Sequence, residues 1–175
     1  MSKRLIVAAA LVMVAACAAL PARGQAAEEF ANSAEGKVLA RYVGKWASEV
    51  EITGAEPKKG TDTSEGKWTL KGRYVDYKVD SKLDDSEALH LLTYDAEQKV
   101  YRSWWFSSTG QNNTSTGTWD EATKKFSWKG EPKNGLTAIW VDHFTDDDTR
   151  VGELVVTDGD GKVVYGIKWK AVRKK

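Results

Sequence analysis

Few side chains in this sequence are equipped for chemistry, and each has an ordinary reading beside the chemical one. His90 and His143 are the two histidines. An imidazole on a strand can serve as a ligand or pass a proton. His90 stands between Leu89 and Leu91 and would share a strand face with Ala88, Leu92 and Tyr94; those surroundings equally suit a core or edge histidine with satisfied hydrogen bonds. His143 follows Asp142, but neighbours in sequence point to opposite faces of a strand, so the two are no ready-made dyad. The spacing of the histidines calls for no shared metal. The acidic runs Asp146-Asp147-Asp148 and Asp158-Gly159-Asp160-Gly161 lack the spaced ligands and distal carboxylate of a calcium loop and read as a solvated corner and a hairpin turn. Ser107, Ser108 and Thr109 follow an aromatic run without a Gly-x-Ser-x-Gly elbow, and nothing supplies the base and orienting group that a serine nucleophile needs.

Arg102 is the more informative position. It shares one face of a strand with Val100, Trp104 and Phe106, while Tyr101, Ser103, Trp105 and Ser107 occupy the other. If the first face turns inward, a buried guanidinium lies among aromatic walls, a costly placement unless a partner such as an anionic ligand headgroup neutralises it. If it turns outward, Arg102 lies along Trp104 at the surface and Tyr101 and Trp105 line the interior. Both faces carry a tryptophan, so the sequence leaves the parity open. Arg102, Trp105, Tyr101, Tyr74 and His90 are the candidate ligand-binding residues; no catalytic residue, metal site or cofactor is indicated.

The elements that must hold these residues are mostly strands. Asn32 with Glu35 has the spacing of a capping box, and Val38, Leu39, Tyr42 and Val43 recur at helical intervals before Gly44, which predicts one short helix acting as a lid or plug. From Trp46 onward, short runs alternate with turn residues. The predicted strands are 46–53, 65–71, 73–81, 88–95, 99–107, 113–120, 124–131, 136–145, 149–157 and 162–171. Links such as 95–98, 120–123 and 158–161 are too short for a crossover helix, so neighbours pair antiparallel. Val163, Tyr165, Ile167, Trp169 and Ala171 alternate with Val164, Gly166, Lys168 and Lys170, the signature of one buried and one wet face. About ten such strands in series would leave open edges unless they close, which predicts an all-β, closed, up-and-down antiparallel barrel; a two-sheet sandwich is the alternative. The polar stretch 54–65 reads as a mobile loop at one mouth.

Residues 1–26 read as an export signal. Lys3 and Arg4 precede an apolar run from Leu5 to Leu20, short for a membrane span of about 20 residues, and small residues follow Pro21. Two processing routes stay open: cleavage after Ala26, or lipidation at Cys17 within Val14-Ala15-Ala16-Cys17. The expected location is periplasmic or secreted, with an outer-membrane lipoprotein as the alternative. Cys17 is the sole cysteine, which excludes a disulfide framework and thiolate chemistry from residues 27–175. That single domain holds 23 of the 26 basic and all 25 acidic side chains, without the basic excess of a nucleic-acid binder. It also holds all eight Trp, six Tyr and four Phe, enough large apolar area for a substantial core.

Val43-Gly44-Lys45-Trp46 resembles the Gly-x-Trp element that opens many lipocalin-like (calycin) barrels, in which the Trp packs across the barrel floor. Gly72-Arg73-Tyr74, Tyr94-Asp95, Tyr101 with Trp105, Gly117-Thr118-Trp119-Asp120 and Trp169 to Arg173 resemble the successive blocks of an exported bacterial lipocalin-like family of unknown function, over roughly residues 37 to 173. The resemblance implies a calycin barrel and favours Tyr101 and Trp105 as inward; it carries no activity. Nitrobindin-like haem-binding barrels share the Gly-x-Trp opening but use a histidine near the C-terminal end. Here no histidine follows His143 and the closing strand offers Tyr165 and Trp169, so haem is not expected. The resulting expectation is a non-enzymatic carrier or sensor for a small, partly apolar or anionic ligand. The alternatives are an interaction module with a filled barrel and, less favoured, a histidine-dependent enzyme.

Overall fold

A computed structural model describes residues 25–175, with side chains from Glu29 onward. The proposed signal segment therefore lies outside the described residues, Cys17 included, except for Gln25 and Ala26 at the start of the first helix. Two short helices, α1 (Gln25–Asn32) and α2 (Ala34–Leu39), lead into a 3-10 turn over Ala40–Tyr42. Ten strands follow. The first five are β1 (Gly44–Gly54), β2 (Lys58–Thr69), β3 (Tyr74–Ser81), β4 (Ser86–Asp95) and β5 (Val100–Ser107). The second five are β6 (Asn112–Asp120), β7 (Lys125–Gly130), β8 (Thr137–Phe144), β9 (Thr149–Thr157) and β10 (Val163–Lys174).

Each strand pairs antiparallel with its sequence neighbours, and β1 closes on β10 in a register running from Lys45 opposite Lys174 to Gly54 opposite Tyr165. The barrel is closed and up-and-down, as the alternation and short links predict, and the sandwich alternative is excluded. Turn chemistry supports the links: the Asp95 carboxylate accepts from the backbone N–H of Glu97 and Gln98, and Asp158 accepts from Asp160 and Lys162. The second of these carboxylates organises a hairpin, the reading preferred over calcium.

Two local expectations are corrected. The helix cap is Ser33, one residue beyond Asn32: its Oγ accepts from Gly36 N at 3.0 Å and donates to Phe30 O at 2.7 Å. Asn32 is unavailable as a cap because it ends α1, and Ser33 takes the extended conformation that a cap requires. Most of the polar stretch expected to be a loop is instead the first half of β2, which pairs with β1 from Lys58 opposite Ile52 onward. Both of its faces are polar, with Asp62 and Ser64 turned to the lumen, so no apolar alternation marks it as a strand.

The core sits at the end of the barrel where β1 begins. Leu39 and Tyr42 enter from α2 and the 3-10 turn and are buried with Trp46, Val75, Phe126 and Phe144. The Tyr42 ring meets Phe144 at 5.3 Å, Tyr77 at 5.8 Å and Phe126 at 5.9 Å. Trp46 donates its indole N–H to Tyr42 O at 3.1 Å, and the Arg173 guanidinium covers its ring at 4.2 Å. Arg173 also bonds the backbone oxygens of Val43, Arg41 and Asp147, tying the last strand to the plug. The helical segment and the Gly-x-Trp element thus close one end of the barrel together.

Candidate functional site

Above this floor the lumen is hollow. A cavity of about 700 Å3 runs from the Tyr42 layer towards the opposite end, where residues of links 108–111 and 131–136 border it. Its walls include Trp105, Trp128, Trp140, Trp169, Tyr165 and Leu154. Glycines without a Cβ make room for two of these rings. Gly152 lies opposite Trp169 and Gly117 opposite Trp128, and a Cβ at either glycine would come within 2.5 Å of the indole.

The deep end of the cavity holds a polar group assembled from five strands and the plug. Arg150 on β9 is 6% exposed and Asp142 on β8 is 4% exposed, with Arg150 Nε 3.4 Å from Asp142 Oδ1. Arg150 Nη2 donates to Tyr77 Oη at 2.7 Å, and Ser64 Oγ lies 2.5 Å from the same phenol oxygen. Tyr42 Oη donates to Asp142 Oδ2 at 2.9 Å and Trp169 Nε1 to Asp142 Oδ1 at 3.1 Å. The guanidinium carbon is within 6 Å of the ring centres of Tyr42, Tyr77, Trp46 and Phe144. Burial opposes its charge, but Tyr77, Asp142 and Tyr42 outweigh that and hold its pKa above the ordinary arginine range. Burial, reinforced by Asp142, raises the Tyr42 phenol well above its usual value. The arrangement is a self-neutralised ion pair in which Arg150 Nη2, Tyr42 Oη and Trp169 Nε1 have acceptors while Arg150 Nε meets Asp142 through charge alone, which suits a structural floor.

Higher in the cavity the polar groups are not paired in this way. His90 on β4 faces inward between Trp105, edge-on at 6.4 Å, and Trp140, stacked at 6.4 Å. Its ring nitrogens have no hydrogen bond from the described residues. Burial, and then the Arg150 charge, depress its pKa from 6.5 to about 4, so the ring is neutral at physiological pH. Asp62 lines the cavity with one carboxylate oxygen buried and unpartnered, and Ser103 Oγ on β5, outside the cavity lining, is buried without a hydrogen-bond partner. Burial raises the Asp62 pKa above the ordinary aspartate value.

The structure sorts the sequence candidates by strand parity. Trp105 and His90 line the cavity, opposite one another on β5 and β4. Tyr101 points inward at the floor, where its ring packs on Phe126 at 4.6 Å and Tyr94 at 5.0 Å. Arg102 lies on the outer surface, bonded to Asp95 Oδ2 at 3.0 Å and Gln98 Oε1 at 2.7 Å; the inward alternative for its face does not hold. Tyr74 is also outside, 6.3 Å from Trp104, because Val75 and Tyr77 take the inward positions of β3. His143 takes the outward parity of β8, opposite Lys125. The residues that sequence reasoning missed are Arg150 with Asp142, and Tyr77, Trp128, Trp140 and Trp169. A signal for the first pair existed: Arg150 shares a strand face with Gly152, Leu154 and Val156, and Asp142 shares one with Ala138, Trp140 and Phe144. Opposite charges thus fall on the apolar parity of consecutive strands.

The family model described as Protein of unknown function (DUF1579) matches residues 31–173. No curated protein matches the sequence. Among solved structures, an S-type phycobiliprotein lyase, CPES from Guillardia theta, superposes with a TM-score of 0.57 at 12% identity, covering 85% of this chain and 97% of its own. That likeness is one of fold. A protein of unknown function of the DUF3598 family from Nostoc punctiforme aligns at 7% identity over 81% of this chain and 100% of its own, with a TM-score of 0.24.

Proposed function

The chain belongs to the family of proteins of unknown function DUF1579, and we propose that it is an exported carrier or sensor that holds a small, partly apolar molecule inside its barrel, without acting as an enzyme. The observation that carries this reading is the cavity of about 700 Å3, within the range of about 300–1,000 Å3 typical of small-molecule sites. A barrel serving only as a scaffold gains nothing from leaving tryptophan faces uncovered: filling the space would add dispersion contacts and bury apolar area at roughly 25 cal/mol per Å2. The non-enzymatic part rests on the ionisable groups. Asp142 is engaged by Tyr42, Trp169 and Arg150 on the floor, and His90 has no carboxylate hydrogen-bonded to it among the described residues, so these groups do not form an acid–base pair held ready. Export is supported by Lys3, Arg4 and the apolar run that follows them.

The test is binding at a defined place. The purified protein should bind an apolar fluorescent probe with one-to-one stoichiometry, and Leu154→Trp, which fills the lumen, should remove binding while leaving the circular dichroism spectrum intact. Failure of a broad probe panel to bind, with no molecule released on organic extraction, overturns the carrier reading. Recovery of an unshortened chain from the cytoplasm overturns export.

A further inference from the structure

We propose that the cavity is shaped for an uncharged, planar, conjugated ring system bearing a hydrogen-bonding group at one edge, and that long-chain carboxylates are not its ligands. This deepens the small-ligand reading and rests on it.

The first support is the shape of the wall. Four rings run from the floor towards the mouth in nearly parallel planes: Phe126 on Trp128 (4.9 Å, 15°), Trp128 on Trp140 (5.7 Å, 14°) and Trp140 on His90 (6.4 Å, 16°). Trp105 stands edge-on to the last of them. A flat guest extends this ladder by ring-to-ring contact, which contributes about 0.5–1.5 kcal/mol per pair beyond area burial. A flexible alkyl chain gains the area but not that geometry, and it loses rotamer freedom on entering.

The second support is charge. A carboxylate entering the lumen needs a cation that is free to meet it. Arg150 is not: Asp142 neutralises it, Tyr77 accepts from it, and aromatic faces surround it. His90 is uncharged at physiological pH. Lys133, whose Asn112 partner does not neutralise its charge, lies at the exposed rim rather than among the rings, and there it donates to Asn112 O at 3.0 Å and Asn112 Oδ1 at 2.9 Å. Asp62 on the wall repels an incoming anion.

The third support is the polar inventory left over. A neutral imidazole offers one donor and one acceptor, and both ring nitrogens of His90 are without a hydrogen-bond partner among the described residues. Ser103 Oγ, diagonal to His90 across the β4–β5 pair, is also unpartnered but is packed inside the wall and does not line the cavity, which leaves His90 as the polar group open to a guest at this level. Leaving such groups unmatched costs about 1–3 kcal/mol each. A carbonyl or N–H on the edge of a flat ligand would satisfy the His90 imidazole without bringing charge.

The experiment compares two fluorescent probes at pH 7.5: 1-aminoanthracene, flat and neutral with an N–H edge, and cis-parinaric acid, an anionic chain. The expected result is at least tenfold tighter binding of 1-aminoanthracene. Trp140→Leu should weaken it about tenfold. His90→Phe, which keeps a stacking ring but removes both nitrogens, should weaken it about fivefold. Thermal melting of each variant checks that it is folded, with Trp140→Phe replacing Trp140→Leu if the latter is not. Equal or tighter binding of cis-parinaric acid overturns the ligand class while leaving the carrier reading intact. An unaltered affinity in both folded variants does the same. If neither probe binds, the carrier reading falls and this inference falls with it.

Discussion

The two halves of the lumen treat polar groups in opposite ways. In the floor, Arg150, Asp142, Tyr42, Tyr77, Ser64 and Trp169 form one network whose charges cancel. Towards the mouth, His90 and one oxygen of Asp62 face the cavity without protein hydrogen bonds. Both halves are walled by large aromatic rings, so aromatic content does not separate them; the pairing of polar residues with one another does, even though Arg150 Nε in the floor meets Asp142 only as an ion pair. A buried polar group that is paired holds a fold in one arrangement, while one left open is a place where another molecule can complete it. The floor is therefore expected to govern stability and the upper wall to govern binding, and substitutions should divide accordingly.

The sharpest break of that division is in the floor. Asp142→Ala leaves the Arg150 charge buried without its counter-ion and takes the acceptor from Tyr42 Oη and Trp169 Nε1. Removing one partner of a buried pair costs about 3–5 kcal/mol, so urea unfolding should show a loss of that size. At temperatures where the variant is folded, affinity for the neutral probe 1-aminoanthracene should change less than threefold. A loss below about 1 kcal/mol would mean that the floor network is not what holds the plug end closed.

The next effect comes from the upper wall and is read through pH. His90 has a folded pKa of about 4 against about 6.5 unfolded. As pH falls, the unfolded chain takes up the proton first, so the stability that depends on a neutral His90 is present above pH 6.5 and is lost progressively towards pH 4. The charged group whose field reaches the ring is Arg150 on β9, which adds to the burial penalty on the protonated form; Trp105, Trp140 and Tyr77 supply neutral surroundings from β5, β8 and β3. The loss should be about 2 kcal/mol by pH 5 and about 3 kcal/mol by pH 4. His90→Phe should flatten the curve between pH 6.5 and 5, measured by urea titration at each pH. An unchanged slope in that variant would place the ring in contact with water rather than in a dry wall.

How much of this was legible in the sequence depended on whether the two faces of a strand differ. Along β7 and β10 lysines alternate with aromatics, and both the strands and their inward faces were readable. Along the first half of β2, Lys58 to Ser64 is polar on both faces because its inner residues line a partly polar lumen, and the strand read as a loop. On β5 both faces carry a tryptophan, and only the pairing of Ser103 with Leu92 and of Trp105 with His90 fixes the parity. The floor ion pair escaped for a different reason. Asp142 attracted attention through its neighbour His143, which points the other way, whereas its partner Arg150 lies one strand on, where the offset between β8 and β9 decides contact. Cross-strand register is a property of the assembled sheet, and a single strand does not display it.

Arg102 gives the smallest expected effect and tests the same parity from outside. It was the most attractive anion anchor in the sequence, and it lies on the outer wall in an ion pair with Asp95, both side chains about a quarter exposed. Pairs of this kind contribute about 0–1 kcal/mol, and Asp95 has turn contacts with Glu97 and Gln98 that do not depend on the arginine. Arg102→Ala should therefore lower stability by less than about 1 kcal/mol in urea unfolding and leave the affinity for any lumenal probe unchanged. A severalfold loss of probe binding in this variant would require the guanidinium to reach the lumen, which the outward parity of β5 forbids; it would mean that β5 is rotated relative to β4 and that the wall containing Trp105 and His90 is wrongly assembled.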